Sequence, residues 1–222
     1  MKTTSHYPYL GLVSCFMKWQ KATCNLAMKG MKAVNIIRRF AITFDCHDTR
    51  LLFGLFDRMV VPIIMYGSEI WGTEYRKVIE RVQVKFCKFV LGVGSRSPDV
   101  CVLGECGRFP LFVKYYVKVV KYWTKLICMN VCRVSKQCYL MSKDLDSHNR
   151  HNWVTNFKNV LFKYGFGYVW IAQELGDVSE FIYQFEQHIK DCALQEWHSA
   201  VQASTKRSLS HYCEYKTLLN TD

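Results

Sequence analysis

The first 44 positions contain no acidic residue, against seven lysines and arginines. No apolar run long enough for a bilayer is free of charge. The longest, around 51–72, holds Asp57, Arg58 and Glu69, which a span of about 20 residues rarely tolerates. The start, MKTTSHYPYL, lacks the apolar core of a secretory signal. A phosphate-cradling P-loop and a dinucleotide-binding glycine fingerprint are both missing. The nine aspartates include no adjacent pair, and none sits in a hydrophobic hairpin. The clustered carboxylates that hold cations for two-metal polymerase chemistry are therefore not in this sequence. No nucleophile stands in a recognisable catalytic context, and the seven histidines are scattered.

What remains is a chain built to fold. Half of its 222 residues are hydrophobic and 15% are aromatic, which argues against disorder and allows a sizeable core. The eleven cysteines are odd in number and follow no regular framework. Without a secretory signal they read as reduced thiols of an intracellular protein, nuclear or cytoplasmic. The formal net charge of +12 favours a polyanionic partner. That charge is uneven. Residues 45–100 carry eight basic against seven acidic side chains, 101–150 nine against three, and 151–222 six against eight. A basic excess confined to the N-terminal and central parts points to one binding surface.

Periodicity makes the chain mostly α. HYPYLGLVSC (6–15) reads as a short strand ending in a turn. From 19 to 40 the apolar positions Ala22, Leu26, Ala33, Ile36, Ile37 and Phe40 recur at helical spacing, with Gly30 weakening the helix. Asp48 is a natural N-cap for a helix over 49–60. Val61-Pro62 predicts a break or kink, because the residue before proline avoids the helical region; Pro62 then opens a helix reaching Trp71. Thr73 reads as a cap for the next helix, 74–91. Further helices are expected over 98–106, 110–130, 135–145, 151–164 and 178–200, with KYGFGYVW (163–170) as a packed turn. No internal repeat is present.

Two helices carry basic ridges. In 110–130, Lys114, Lys118, Lys121 and Lys125 have offsets of 4, 7 and 11, which places them within roughly 60° of one another around the axis. Phe112, Tyr116, Val119, Trp123, Leu126 and Ile127 point the other way. In 74–91, Lys77, Arg81, Lys85 and Lys88 share one face, opposite Val78, Ile79, Val82, Phe86, Phe89 and Val90. A merely solvated face normally mixes charge signs to gain i,i+4 pairs. Ridges with few acids between the cations suit a phosphate backbone, and lysine reads no base. The expected contact is sequence-independent. Cys128, Cys132 and Cys138, with His148 or His151, have the residue types of a zinc site, but C-x3-C-x5-C is not a standard zinc spacing. Buried or half-buried free thiols are the expectation there, and Cys101 and Cys106 make no better site.

The segment LFDRMVVPIIMYGSEIWG (55–72) resembles the stretch after the palm in reverse transcriptases of non-LTR (LINE-type) retrotransposons. The similarity continues through IERVQVKFCKFVLGV (79–93), GECGRFPL (104–111) and VVKYWTKL (119–126). It is preceded by YLGL (9–12), like the strand that closes the palm at the primer grip. It loosens afterwards, at NW (152–153), VWIAQ (169–173) and KRSLSHYCEYKTLL (206–219). Cys106 departs from the leucine usual in the GE-x-GR run. The resemblance implies three segments: 1–16 as the end of the palm, 17–130 as a helical thumb, and 131–222 as a helical extension. It also implies that the catalytic aspartates, including the Phe/Tyr-x-Asp-Asp hairpin, lie upstream of Met1. The chain would then be a non-catalytic fragment of an RNA-directed DNA polymerase with no cofactor of its own; the parent enzyme would use magnesium. Its partners would be an RNA or DNA duplex or hybrid, together with the missing palm and fingers, and no membrane. Gly67 would allow close packing, and Glu69 and Trp71 would be structural. The alternatives are a helical protein-interaction module, a decayed relic without function, or a small zinc module.

Overall fold

The computed structural model describes residues 7–9 and 12–14 in backbone only and residues 19–202 in full. Strands β1 (Tyr7–Tyr9) and β2 (Leu12–Ser14) pair antiparallel, Tyr7 opposite Ser14. Apart from this six-residue ribbon, every regular element among the described residues is helical, and the fold is mostly α. Leu10 and Gly11 of the expected primer-grip strand, and the whole of 206–219, lie outside the described residues.

Helix α1 (Gln20–Thr43) buries the stripe Ala22, Leu26, Ala33, Val34, Ile37 and Ala41. Of the apolar positions read from the sequence, Ile36 and Phe40 instead face solvent. Asp48 caps α2 (Thr49–Leu55) as expected, its carboxylate accepting the backbone N–H groups of Arg50 and Leu51 at 2.9 and 3.2 Å.

Of the break or kink expected at Val61-Pro62, the break does not occur. A single π turn, Phe56–Val60, joins α2 to α3 (Val61–Ile64), and Val61 keeps helical angles, φ −56° and ψ −44°. The wider turn draws the preceding carbonyls away from the proline ring, which removes the clash that otherwise excludes helix before proline. The break falls five residues later. Gly67 takes φ +64°, a left-handed conformation that suits glycine, and α4 (Ser68–Trp71) starts after it. Gly67 is thus a backbone switch, and one continuous helix to Trp71 is not formed. Helix α5 follows (Lys77–Val90); Arg76, not Thr73, stands at its N-cap, and Thr73 is buried.

The remaining helices are α6 (Asp99–Glu105), α7 (Leu111–Cys128), α8 (Val134–Ser147), α9 (Trp153–Lys163), α10 (Gly167–Ala172) and α11 (Val178–Gln202). The packed turn expected over 163–170 contains the start of α10. Gly165, at φ +78°, ends α9, and a side chain at Gly167 would lie 2.8 Å from the Phe162 ring.

The described chain divides into two compact units, and sequence order does not separate them. One gathers residues up to 66, 76–111 and 192 onward; the other gathers 67–75 and 112–191. The segments 17–130 and 131–222 each contribute to both.

In the first unit α1 packs on α3 and α5, and the rings of Phe56 and Phe86 stack at 4.7 Å. Arg108 forks onto Asp57 at 2.7 and 2.6 Å while lying over the rings of Phe53 and Phe56. Burial works against the guanidinium charge, and Asp57 outweighs it, so the Arg108 pKa rises.

In the second unit Trp123 of α7 is fully buried among Phe157, Trp170 and Phe181, with centroids at 5.0, 6.2 and 6.3 Å. Its indole N–H donates to the Tyr139 hydroxyl (3.1 Å), which donates to Gln173 (2.9 Å). The polar tips of Trp123 and Tyr139 thereby have partners. Trp71 is buried as expected of a structural residue, and the Glu69 carbonyl accepts the Trp153 indole N–H at 3.1 Å.

Candidate nucleic-acid interface

Helix α7 is a buried helix with one open strip. Between Leu111 and Leu126 the exposed residues are Lys114, Lys118, Lys121 and Lys125; Tyr122 is half-buried, and every other residue is buried. The apolar side runs well beyond one face, taking in Val113, Tyr115, Val117 and Val120. The four cations stand side by side because 3.6 residues per turn returns offsets of 4, 7 and 11 to one sector. A rigid core helix therefore holds the ridge in place, which limits the ordering cost of binding to the lysine side chains themselves.

The ridge on α5 is less uniform. Lys77, Arg81 and Lys85 are exposed. Lys88 turns inward, with its side chain 14% exposed. Its ammonium sits 2.7 Å from Asp99 and donates to the Ser95 carbonyl at 2.9 Å. It fastens the loop before α6 and is poorly placed to meet a ligand. Of the opposite face, Ile79, Val82 and Phe86 are buried, while Val78, Phe89 and Val90 are half-buried.

Two polar residues on the inner side of α5 were not foreseen. Glu80 accepts the backbone N–H of Leu111 at 2.7 Å, and Gln83 donates to the Phe109 carbonyl at 2.9 Å. Glu80 thus supplies an acceptor to the first residue of α7, whose N–H has no partner within its own helix. On the helical wheel both fall on the flank between the apolar and basic faces, Glu80 nearer Lys77, so spacing alone does not announce that they need buried partners.

The thiols expected to be buried or half-buried, Cys128, Cys132 and Cys138, are exposed, as are His148 and His151. Cys128 ends α7 and Cys138 lies on α8, whose N-terminal part packs only Tyr139 inward. No group of three or more metal-ligating side chains is gathered among the described residues. Cys101 and Cys106 are half-buried. Among the described residues no helix is long and apolar enough to cross a membrane. Comparison with family models, curated proteins and solved structures gave no match.

Proposed function

We propose that the chain binds duplex nucleic acid through its phosphate backbone, without regard to sequence, as the thumb region of a non-LTR retrotransposon reverse transcriptase, and performs no catalysis itself. The observation that supports this most is the lysine strip of α7. Between Leu111 and Leu126, on a helix otherwise buried or half-buried, all the exposed positions are lysines. The basic excess of the chain and the ordered motifs of 51–126 point the same way. Lys77, Arg81 and Lys85 form a second contact of the same kind, and Lys88 serves the fold. A template–primer duplex or RNA–DNA hybrid is the fitting ligand, and the palm and fingers of such an enzyme are the protein partners that the resemblance implies.

The test is affinity for several unrelated duplexes of one length, and for an RNA–DNA hybrid, at fixed salt. Phosphate contacts carry no base information, so the DNA affinities are expected to agree within about threefold. A preference of about tenfold or more for one DNA sequence would overturn the assignment of these ridges to backbone contacts.

The alternative, a helical protein-interaction module, draws support from α1. Ile36, Phe40 and Phe44 recur every fourth residue and are exposed, the two rings 5.1 Å apart. On that reading binding to nucleic acid is absent or weak.

A further inference from the structure

Helix α8 turns most of its apolar surface outward. Of its 14 residues only Tyr139 is buried. Val134 is 72% exposed, Met141 66% and Leu145 46%, and Cys138 is exposed as well. Their offsets of 4, 7 and 11 are those of the α7 lysines, so the four side chains form one stripe within roughly 60° around the axis. The stripe borders a groove of about 320 Å³ whose walls include Ile70, Tyr122, Leu126 and Trp153. A lone exposed leucine is ordinary. A stripe running the length of a helix and continued by a groove is a surface that a partner covers.

The charges beside the stripe select that partner. Arg133 at the N-cap and Asp144 in the last turn are 11 apart, so they lie within about 20° of each other, roughly a quarter turn from the stripe. Both are exposed, and the Asp144 carboxylate stands 3.8 Å from His148. An arginine at a helix N-terminus and an aspartate at its C-terminus oppose their own helix dipole. Each suits the end of an antiparallel neighbour that it would meet. A second α8 laid parallel would set the two arginines at one end and the two aspartates at the other. Laid antiparallel, about a two-fold axis level with Tyr139 and Leu140, it sets Val134 against Leu145 and Cys138 against Met141. Arg133 of each copy then comes beside Asp144 of the other, because the axis keeps the charged flank on the same side in both. One patch supplies both halves of the contact, as a two-fold interface requires.

We propose that two copies of the chain associate through α8, antiparallel and two-fold symmetric. The stripe of Val134, Cys138, Met141 and Leu145 forms the core of the contact, and the two Arg133–Asp144 pairs form its rim. A single helix face is smaller than a standard interface of about 800 Å² per partner, so the expected association is weak, in the micromolar range.

Sedimentation equilibrium of the full chain, in reductant and without nucleic acid, is measured over about 1–100 μM. The mass is expected to rise with concentration from 26.1 kDa toward twice that value. Met141→Glu, at an exposed position, keeps the circular dichroism of the wild type and weakens association by about tenfold or more. Asp144→Arg also weakens it, and Arg133→Asp combined with Asp144→Arg restores it. Ile36→Glu, on the exposed face of α1, leaves it unchanged. A short bismaleimide is expected to join two copies of the tryptic peptide QCYLMSK (137–143) through Cys138. A chain that stays monomeric throughout overturns the proposal, and the stripe then serves another protein or none. A dimer that Met141→Glu leaves intact overturns it as well. A double variant that associates no better than Asp144→Arg alone overturns the antiparallel pairing.

Discussion

Replacing Gly30 by alanine sets two effects of known size against each other. Gly30 is a buried position in the middle of α1. In an open helix the change would stabilise by about 0.8–1.0 kcal/mol, because alanine gives up less backbone freedom on folding. Here an added Cβ overlaps Ile64 Cγ2 and comes within 3.6 Å of Val82 Cγ1 and 3.7 Å of Val60 Cγ1. Ile64 and Val60 are fully buried and Val82 is 1% exposed. Ile64 is also β-branched and stiff at χ1, so it has no empty volume to turn into. Overpacking of this kind costs about 1–3 kcal/mol. With the clash falling on a side chain that cannot yield, the overpacking cost lies at the upper end, about 2–3 kcal/mol, and the net effect is a destabilisation of about 1–2 kcal/mol, or roughly 2–8 °C in Tm for a chain of this size. Gly54 in α2 is the matched control, since nothing lies within 4 Å of a Cβ built there. Gly54→Ala is expected to stabilise by about 0.5–1 kcal/mol. Denaturant unfolding followed by circular dichroism should therefore move the two variants in opposite directions. Adding Ile64→Ala, which removes the overlapped methyl, should cost less in the Gly30→Ala chain than in the wild type. A Gly30→Ala protein at least as stable as wild type would refute the close packing of α1 on α3.

Asn152→Ala removes the cap of α9, where the Asn152 side chain accepts the Val154 N–H at 2.8 Å and the Asn152 N–H donates to Thr155 at 3.1 Å. A loss of about 1 kcal/mol is expected in the same unfolding assay, and an unchanged midpoint would show that the cap contributes nothing. Asp57→Asn leaves Arg108 charged and largely buried without its carboxylate. Breaking a buried pair costs about 3–5 kcal/mol, but Asp57 is 37% exposed, and solvent reduces the expected loss to about 1–3 kcal/mol. A change below about 0.5 kcal/mol would mean that water replaces the carboxylate without penalty.

The sequence was most informative where one helix faces one core. The periods of α1, α5, α7 and α11 placed those helices within a few residues of their bounds, and Asp48 announced its cap through its chemistry alone. Local rules failed where the tertiary environment overrode them. The rule for Val61-Pro62 assumes an ordinary turn before the proline, and a π turn evades it. Gly30 read as a weakness because its partner, Ile64, is 34 residues away. The turn expected at 163–170 became α10 because Val169 and Trp170 gain burial that propensity does not count. At the candidate interface, the faces of α5 and α7 followed from spacing. That Lys88 is tied to Asp99, and that Glu80 and Gln83 meet Leu111 and Phe109, depends on contacts across a loop that no period encodes. The two-unit division escaped for the same reason, since 67–75 joins residues far along the chain.

The most direct test of nucleic-acid binding is the salt dependence of affinity for a random-sequence DNA duplex. It is measured for the wild-type chain and for a variant with Lys114, Lys118, Lys121 and Lys125 all changed to Glu. Each phosphate neutralised contributes about −0.9 to the slope of log K against log salt. Four lysines of α7 and three exposed cations of α5 set a ceiling of about −6 for the wild type, and the variant is expected to be shallower by up to about 3.6. Circular dichroism checks that the variant keeps its helices. A wild-type slope near zero, or the same slope in a folded variant, would contradict the assignment of the α7 ridge to phosphate binding.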